Sequence, residues 1–299
     1  MRMRLLLAVW LACQVLLTLG AQELGEVKRT EDVIYARKFG TALTLDVFQP
    51  SKPNGAGVIF VVSGGYFSSH EGINPAYYRA FLKRGYTIFA VVHGSQPRFV
   101  IPEIVEDIHR AVRYVRHHAS KYGVDADRLG ITGASAGGHL SLTMGTQGGL
   151  GKKESKDPIE RESSAVRAVA CFFPPTDFLN FGKEGEDAVG VGILAGFKSA
   201  FGSRADTAES RQVYGREISP VNYITAGMVP TMIIHGDADK LVPIQQAQRF
   251  VEKAKAVGVR DVKLEVREGK EHGWANIADD LEHFADWFDL HLKPRAVSR

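Results

Sequence analysis

The chain has 299 residues, of which 44% are hydrophobic and 24% are charged, and its formal net charge is +3. That length fits one large α/β domain or two small ones and can bury a substantial core. The charge offers no basic surplus of the kind that binds nucleic acid, so no nucleic-acid partner is predicted.

The first residues are typical of a cleavable secretory signal. Met1–Arg4 is basic, Leu5–Leu19 is almost wholly apolar, and small residues precede Ala21. An apolar helix of 15 residues spans about 22 Å, less than the roughly 30 Å hydrocarbon core of a bilayer. We predict a signal peptide over residues 1–20 and a mature chain over 21–299, secreted or periplasmic, without stable membrane association. An uncleaved N-terminal anchor is the alternative.

The first half of the mature chain alternates strands with helices. Val33–Phe39 and Leu43–Phe48 predict an antiparallel hairpin. The apolar run over 58–62 is typical of a buried parallel strand and ends at Ser63-Gly64-Gly65. In chain order there follow a helix over 75–83, a strand over 87–92 and an amphipathic helix over 104–115. On this last helix, charged residues such as Arg113 are expected to face outward.

Gly133-Ala134-Ser135-Ala136-Gly137 lies between a predicted strand over 128–132 and a predicted helix from residue 138. A sharp strand-to-helix turn exposes the central serine hydroxyl at the end of a sheet. Flanking glycines let the crossing backbones approach closely. The helix start adds amide donors and a positive dipole end, both suited to an oxyanion. Ser135 is therefore the candidate nucleophile.

The second half of the chain continues the alternation. It carries strands over 166–173, 231–235 and 262–267 and helices over 247–254 and 281–288. Strands that alternate with helices of this length predict a single doubly wound, mostly parallel α/β sheet. Residues 178–218 interrupt the pattern with glycines and scattered aromatics, which predicts a small lid or cap insertion. A surface insertion without a role is the alternative.

A serine nucleophile requires a base and a carboxylate that orients the base. Asp237 and Asp239 lie in the turn after the strand over 231–235. His272 lies in a loop beside Gly273, between the last strand and the last helix. The remaining histidines have helical, solvated or core contexts; His235, at a strand end, is expected to be a packed core residue. Cys171, in an apolar run, is expected to be a buried thiol, and no metal site is predicted.

Taken together, these motifs resemble the α/β-hydrolase esterases and lipases, near the hormone-sensitive-lipase-like and BD-FAE (feruloyl/acetyl esterase-like) families. The resemblance covers roughly residues 33–292. Its motifs are Ser63-Gly64-Gly65-Tyr66, Pro102 with Glu106-Asp107, the Ser135 elbow, Pro174-Pro175-Thr176-Asp177, Gly236-Asp237-Ala238-Asp239 and Glu271-His272-Gly273. It implies the α/β-hydrolase fold, here with an eight-stranded sheet, and ester hydrolysis without a metal or organic cofactor.

The resemblance also implies roles for the candidate residues. The family's catalytic residues occur in the order Ser, acid, His, which assigns Ser135, Asp239 and His272. Asp237 is the alternative acid, with turn capping as its other interpretation. Ala136 N–H and the loop Gly64-Gly65 are the expected oxyanion donors, with Tyr66 replacing one of them if the loop aligns one residue later. This loop departs from the family's H-G-G-G-W pattern at Val62 and Ser63.

The predicted function is a secreted serine carboxylesterase that acts on short-chain or aromatic esters through an acyl-enzyme. The substrate is expected to be a small-molecule or polysaccharide-linked ester, including acetyl or feruloyl esters of carbohydrates. Tyr66 and Trp274 flank catalytic elements and are candidate substrate-binding residues. The alternatives are a serine peptidase or amidase resembling prolyl oligopeptidase, and a non-catalytic ligand-binding relative.

Overall fold

The structure is a computed structural model that describes residues 26–294. The predicted signal peptide over 1–20 lies outside these residues. The strands are β1 (Val27–Lys38), β2 (Thr41–Pro50), β3 (Gly57–Val62), β4 (Thr87–Val92), β5 (Leu129–Ala134), β6 (Ala168–Phe172), β7 (Thr231–Gly236) and β8 (Val262–Arg267). The helices are α1 (Arg79–Lys83), α2 (Ile101–His117), α3 (Ala136–Gln147), α4 (Lys198–Phe201), α5 (Ala208–Ile218), α6 (Gln245–Ala256) and α7 (Leu281–Leu292).

All eight strands form one sheet in the order β1-β2-β4-β3-β5-β6-β7-β8. β1 and β2 form the predicted opening hairpin, which turns through Phe39 and Gly40, both at positive φ. β2 pairs with β4 in the antiparallel sense, and the strands from β4 to β8 are parallel. The predicted doubly wound, mostly parallel eight-stranded sheet is therefore confirmed.

Helices cover both faces of the sheet. One face packs against α2, α3 and α6, which contribute buried apolar residues such as Ile108, Leu140 and Phe250. The other face packs against α1 and α7, with Phe81 and Phe288 buried there. Continuous apolar strands are the expected result, because each central strand is covered on both faces.

The carboxyl ends of the parallel strands meet at one edge of the sheet, where the loops after β3, β5, β7 and β8 converge. Residues 178–218 lie over this edge and include α4, α5 and two short 3₁₀ turns. The insertion is held by buried apolar side chains of its own, among them Phe178, Phe201 and Tyr214. Residues 178–218 therefore pack as a unit that covers the loops at this edge of the sheet.

One expectation about the helices is wrong. Arg113 was expected to face solvent from α2, but its side chain is buried and forms an ion pair with Glu160 at 3.3 Å. The segment before β6 folds back on α2 and covers this position. Within residues 26–294, no helix combines the length and the apolarity needed to cross a membrane.

Candidate active site

The turn between β5 and α3 holds Ser135 in a strained conformation, with φ of 55° and ψ of −119°. Few residues other than glycine adopt positive φ, and such outliers concentrate at functional sites. The neighbouring backbones are packed closely. A Cβ added to Gly133 would lie 2.6 Å from the Gly137 carbonyl oxygen, and one added to Gly137 would lie 2.9 Å from that of Val61. The glycines therefore make this tight turn possible.

A chain of two hydrogen bonds links Ser135, His272 and Asp239. His272 Nε2 lies 2.8 Å from Ser135 Oγ, and His272 Nδ1 lies 2.7 Å from Asp239 Oδ2. The three residues come from the ends of β5, β7 and β8, which are distant in sequence. The other candidate acid, Asp237, is exposed, and its Oδ1 accepts the Gly269 N–H at 2.7 Å. Only Asp239 of the two contacts the imidazole.

Asp239 is buried and held by several donors. Its Oδ1 accepts the Leu241 and Val242 N–H groups, each at 2.9 Å. Burial alone would raise the pKa of Asp239, but hydrogen bonds from His235, His272 and Val242 outweigh burial and hold the pKa well below its usual range. The carboxylate is therefore ionised at any pH near neutrality and is suited to orient an imidazole.

His235 contacts the acid, which the sequence did not indicate. The side chain is fully buried, as expected for a core residue, but its Nε2 lies 3.3 Å from Asp239 Oδ2 and 2.8 Å from the Val242 carbonyl oxygen. Its Nδ1 has no hydrogen-bond partner among the described residues. In the sequence, His235 lies four residues before Asp239 at the end of a buried strand, but this spacing by itself does not predict a contact between them.

The loop after β3 forms a tight turn over Gly64–Phe67. Gly65 and Tyr66 both have positive φ, at 55° and 65°. Gly64 N–H donates to the Phe67 carbonyl at 3.0 Å, and Phe67 N–H donates to the Gly64 carbonyl at 2.9 Å. Because the Gly64 amide is already used, we exclude it from the candidate oxyanion donors. Gly65, Tyr66 and Ala136 remain, and the choice between Gly65 and Tyr66 stays open.

The loop after β4 supports this turn from behind. Gln96 is buried, its Nε2 donates to the Gly65 carbonyl at 2.5 Å, and its backbone N–H donates to the Tyr66 carbonyl at 3.1 Å. Its Oε1 accepts the hydroxyl of Ser199 in α4. Gln96 therefore joins the candidate oxyanion loop to the insertion. Its position could not be inferred from sequence spacing.

Two buried histidines lie close to the same loop. His93 Nε2 lies 2.8 Å from Ser63 Oγ, and His139 Nδ1 lies 3.2 Å from the Tyr66 hydroxyl. Burial lowers the pKa of His93 to about 4 and that of His139 to about 4. Both rings are therefore neutral in the folded protein over most of the pH range in which a free histidine titrates.

We expect the free energy of unfolding to fall as the pH drops from about 6.5 to about 4. In that window the unfolded chain binds protons at His93 and His139 and the folded chain does not. Each histidine can contribute up to about 1.4 kcal/mol per pH unit. Urea denaturation at pH 7 and pH 5 measures the change. A His139→Gln variant should lose part of the dependence, whereas a flat profile in the native protein would contradict the expectation.

An apolar cavity of about 320 Å³ adjoins Ser135. His272 and the turn at Gly65-Tyr66 lie at its reactive end, and Leu241 lies on one wall. The insertion completes the wall with Leu194, Phe197 and Phe201. We call this space the acyl cavity. Tyr66 thus lies beside the candidate nucleophile. Trp274 lines a separate cleft, which shares Ala134 and Phe173 with the acyl cavity.

Among residues 26–294, one cluster has the spacing of metal ligands, namely Glu31, Asp46 and His70. The positively charged side chain of Arg29 already lies within this cluster. Its Nη2 is 2.6 Å from Asp46 Oδ2 and 3.1 Å from His70 Nε2. The guanidinium therefore compensates the buried Asp46 carboxylate. Cys171 is buried as expected, and burial raises the pKa of its thiol.

The sheet order and the strand-to-helix serine turn define an α/β-hydrolase fold. The family model described as BD-FAE matches residues 45–254. The chain belongs to the BD-FAE family, and the resemblance recognised in the sequence is confirmed. Among curated proteins, the "Probable carboxylic ester hydrolase LipM" of Mycobacterium tuberculosis is 29% identical over 241 residues, covering 77% of this chain and 53% of the relative. The chain thus spans about half the length of the curated relatives it matches.

Solved structures share the fold over most of the chain. A truncated carbohydrate esterase from gut microbiota has a TM-score of 0.73 at 23% identity, covering 88% of this chain and 96% of that one. Esterase Est2 of Thermogutta terrifontis, with propionate bound, has a TM-score of 0.64 at 26% identity, covering 89% of this chain and 91% of that one.

Proposed function

We propose that this protein is a serine carboxylesterase that hydrolyses short-chain esters through an acyl-enzyme. The observation that carries the proposal is the hydrogen-bonded sequence Ser135–His272–Asp239 at the mouth of the acyl cavity. Membership of the BD-FAE family and similarity to named esterases support it. The basic and apolar residues 1–20 further support an extracytoplasmic setting.

In the proposed first step, Ser135 Oγ attacks the ester carbonyl and His272 Nε2 takes the hydroxyl proton. Asp239 accepts a hydrogen bond from His272 Nδ1–H, which leaves Nε2 unprotonated and able to take the hydroxyl proton, and it stabilises the imidazolium that forms. The carbonyl oxygen becomes an oxyanion between the Ala136 N–H and the N–H of Gly65 or Tyr66. One such donor contributes about 3 kcal/mol to transition-state stabilisation.

In the second step, His272 gives its proton to the departing alcohol oxygen, and the acyl group remains on Ser135. A water molecule then enters along the path that the alcohol leaves. His272 removes its proton while the water oxygen attacks the acyl carbonyl. His272 then returns that proton to Ser135 Oγ as the bond to the acyl group breaks, which releases the acid and restores the serine. The same donors hold the second oxyanion, so one set of residues serves both halves of the reaction.

The size of the acyl cavity favours short acyl groups. Its volume is about 320 Å³, and Leu194, Phe197 and Phe201 of the insertion form part of its wall. Each enclosed CH₂ group contributes about 0.8 kcal/mol, but only while the pocket can surround it. The similar esterase Est2 was solved with propionate, a short-chain acid. Tyr66 is proposed to form one wall for the acyl chain.

We expect kcat/KM to be highest for acetyl to butyryl esters and to decline for chains beyond about eight carbons, because longer chains leave the enclosed volume. A chain-length series of p-nitrophenyl esters measures this. A steady rise to palmitate, with activation at an oil–water interface, would favour a lipase instead.

A proline-amide substrate in the same panel tests the peptidase alternative. Amide cleavage that exceeds ester cleavage would contradict the esterase proposal. A folded protein that cleaves neither class would favour a non-catalytic ligand-binding relative.

A further inference from the structure

Gln96 is buried, does not line the acyl cavity, and has its amide group between the candidate oxyanion turn and the insertion. The amide Nε2 donates to the Gly65 carbonyl at 2.5 Å, and Oε1 accepts the hydroxyl of Ser199 in α4. A carbonyl oxygen can only accept, so the amide nitrogen must face Gly65 and the amide oxygen is left for Ser199. The two contacts therefore fix the orientation of the amide group.

Gln96 holds the peptide group between Gly65 and Tyr66 from one side. Its side chain binds the Gly65 carbonyl, and its backbone N–H donates to the Tyr66 carbonyl at 3.1 Å. In a trans peptide the carbonyl and the N–H point in opposite directions, so the Tyr66 N–H points away from Gln96. Because Gly65 and Tyr66 line the acyl cavity and Gln96 does not, this N–H is directed towards the cavity. Within residues 26–294 it donates to no other group.

The residues of this turn favour a different conformation from the one observed. The loop Gly65-Tyr66 is closed by paired hydrogen bonds between Gly64 and Phe67, and positive φ at both central residues makes it a type I′ turn. Glycine followed by tyrosine is better suited to type II′, in which only the first central residue has positive φ. The two types differ by a rotation of the central peptide of about 180°. That rotation would direct the Gly65 carbonyl at the cavity in place of the Tyr66 N–H.

The insertion contacts the same turn at two points, which lie two residues apart in the chain. The Ser199 hydroxyl binds Gln96, and the Phe197 ring packs directly on Gly65, where an added Cβ would lie 2.5 Å from the ring. Phe197 also lines the acyl cavity. The start of α4 thus supports the turn both directly and through Gln96.

We infer that Gln96 is a positioning residue for ester hydrolysis: it holds the Gly65–Tyr66 peptide in the orientation that directs the Tyr66 N–H at the oxyanion. Ser199 acts through Gln96, by holding its amide group. The inference rests on the proposed function. It adds to that function a residue that touches neither the ester nor the reacting atoms, and it gives the insertion a part in the reaction besides forming the cavity wall.

Gln96→Met tests the inference, because methionine has a similar length and volume but cannot donate to the Gly65 carbonyl. With p-nitrophenyl acetate, kcat should fall about 10- to 100-fold, less than the loss of about 10²- to 10³-fold that follows removal of an oxyanion donor. KM should stay within about twofold, because the bond to the oxyanion forms only in the transition state. If Gln96 only fills space, Gln96→Met should keep the native kcat.

Two reversible inhibitors distinguish positioning of the donor from binding of the acyl group. With a short-chain trifluoromethyl ketone, Ser135 Oγ adds to the carbonyl carbon, His272 takes the hydroxyl proton, and the ketone oxygen becomes an oxyanion. Butyramide keeps a planar, uncharged carbonyl. In Gln96→Met, the inhibition constant of the ketone should rise by about the factor by which kcat falls, whereas that of butyramide should change by less than about threefold.

A second variant tests the role of Ser199. Ser199→Ala should lower kcat by about threefold, the scale of one neutral hydrogen bond. The double variant Gln96→Met with Ser199→Ala should lose no more than Gln96→Met alone, because Ser199 acts through Gln96. Gln49→Met is the matched control. Gln49 Nε2 also donates to a backbone carbonyl, that of Tyr122 at 3.3 Å, but Gln49 does not line the acyl cavity, so kcat and both inhibition constants should be kept.

Native kcat in a folded Gln96→Met protein would overturn the inference, and so would equal losses of affinity for the ketone and butyramide. Additive losses in the double variant would overturn the role of Ser199. If circular dichroism shows that Gln96→Met does not fold, Ser199→Ala decides alone: its affinity must fall for the ketone and not for butyramide. A native protein that hydrolyses no ester would refute the proposed function and this inference with it. Ester hydrolysis that Gln96→Met leaves intact would refute only the inference.

Discussion

Replacing Ser135 with alanine should reduce kcat for p-nitrophenyl acetate by about 10⁶-fold, the scale seen when a serine nucleophile is removed. The physical reason is the loss of the hydroxyl oxygen that lies 2.8 Å from His272 Nε2. The alanine side chain is smaller and needs no new space, so the fold should persist. Circular dichroism and urea denaturation of the variant check that it does.

Ser141→Ala is the matched control. Ser141 lies on the same helix α3, and its hydroxyl donates to the Gly137 carbonyl at 2.7 Å. This variant should keep its activity within a few-fold. As an independent measure, an organophosphate should add mass to one peptide of the native protein, the one that contains Ser135. Full activity in a folded Ser135→Ala protein would disprove the assignment of the nucleophile.

The parts of the fold that could be predicted are those with a local physical signal. Apolar runs such as 58–62 are required wherever a strand is covered on both faces, so the central strands could be identified. The Ser135 turn was recognisable because its close backbone contacts require glycine at Gly133 and Gly137. The sequence likewise indicated loops for Asp239 and His272, which the structure brings together.

Other features depend on contacts between segments far apart in sequence. The loss of Gly64 as a donor follows from the hydrogen bonds of a turn that closes on Phe67. Arg113 is buried because Glu160 folds over α2 and compensates its charge. Gln96 reaches the turn only because the loop after β4 passes behind it. The sequence contains no periodic pattern or motif that would predict any of these arrangements.

The cleft lined by Phe60, Tyr77 and Trp274 also depends on such distant contacts. Phe60, Tyr77 and Trp274 come from a strand, a short 3₁₀ helix and a loop that the fold brings together. In the sequence, each is an isolated aromatic residue of the sort that fills cores. Trp274 was singled out because it follows His272, whereas Phe60 appeared to be an ordinary residue of a buried strand.

Replacement of the candidate acid Asp239 is the second change that should strongly reduce activity. Asp239→Asn should lower kcat by about 10⁴-fold while the geometry is kept. Asparagine is similar in size, but its amide group can donate to His272 Nδ1. A hydrogen bond in that direction favours the tautomer with the proton on Nε2, which cannot accept the Ser135 proton. Steady-state kinetics with p-nitrophenyl acetate measures the loss.

Asp237→Asn is the matched control for the acid, two residues away in the same turn. Asp237 is exposed and accepts the Gly269 N–H at 2.7 Å, a bond that the asparagine oxygen can also accept. This variant should therefore stay within a few-fold of the native activity. If Asp237→Asn were the variant that lost activity and Asp239→Asn were not, the acid would have to be reassigned. The two tautomers of the neutral imidazole carry the same number of protons, so a change in pH does not convert one into the other. The loss in Asp239→Asn should accordingly not be recovered by raising the pH.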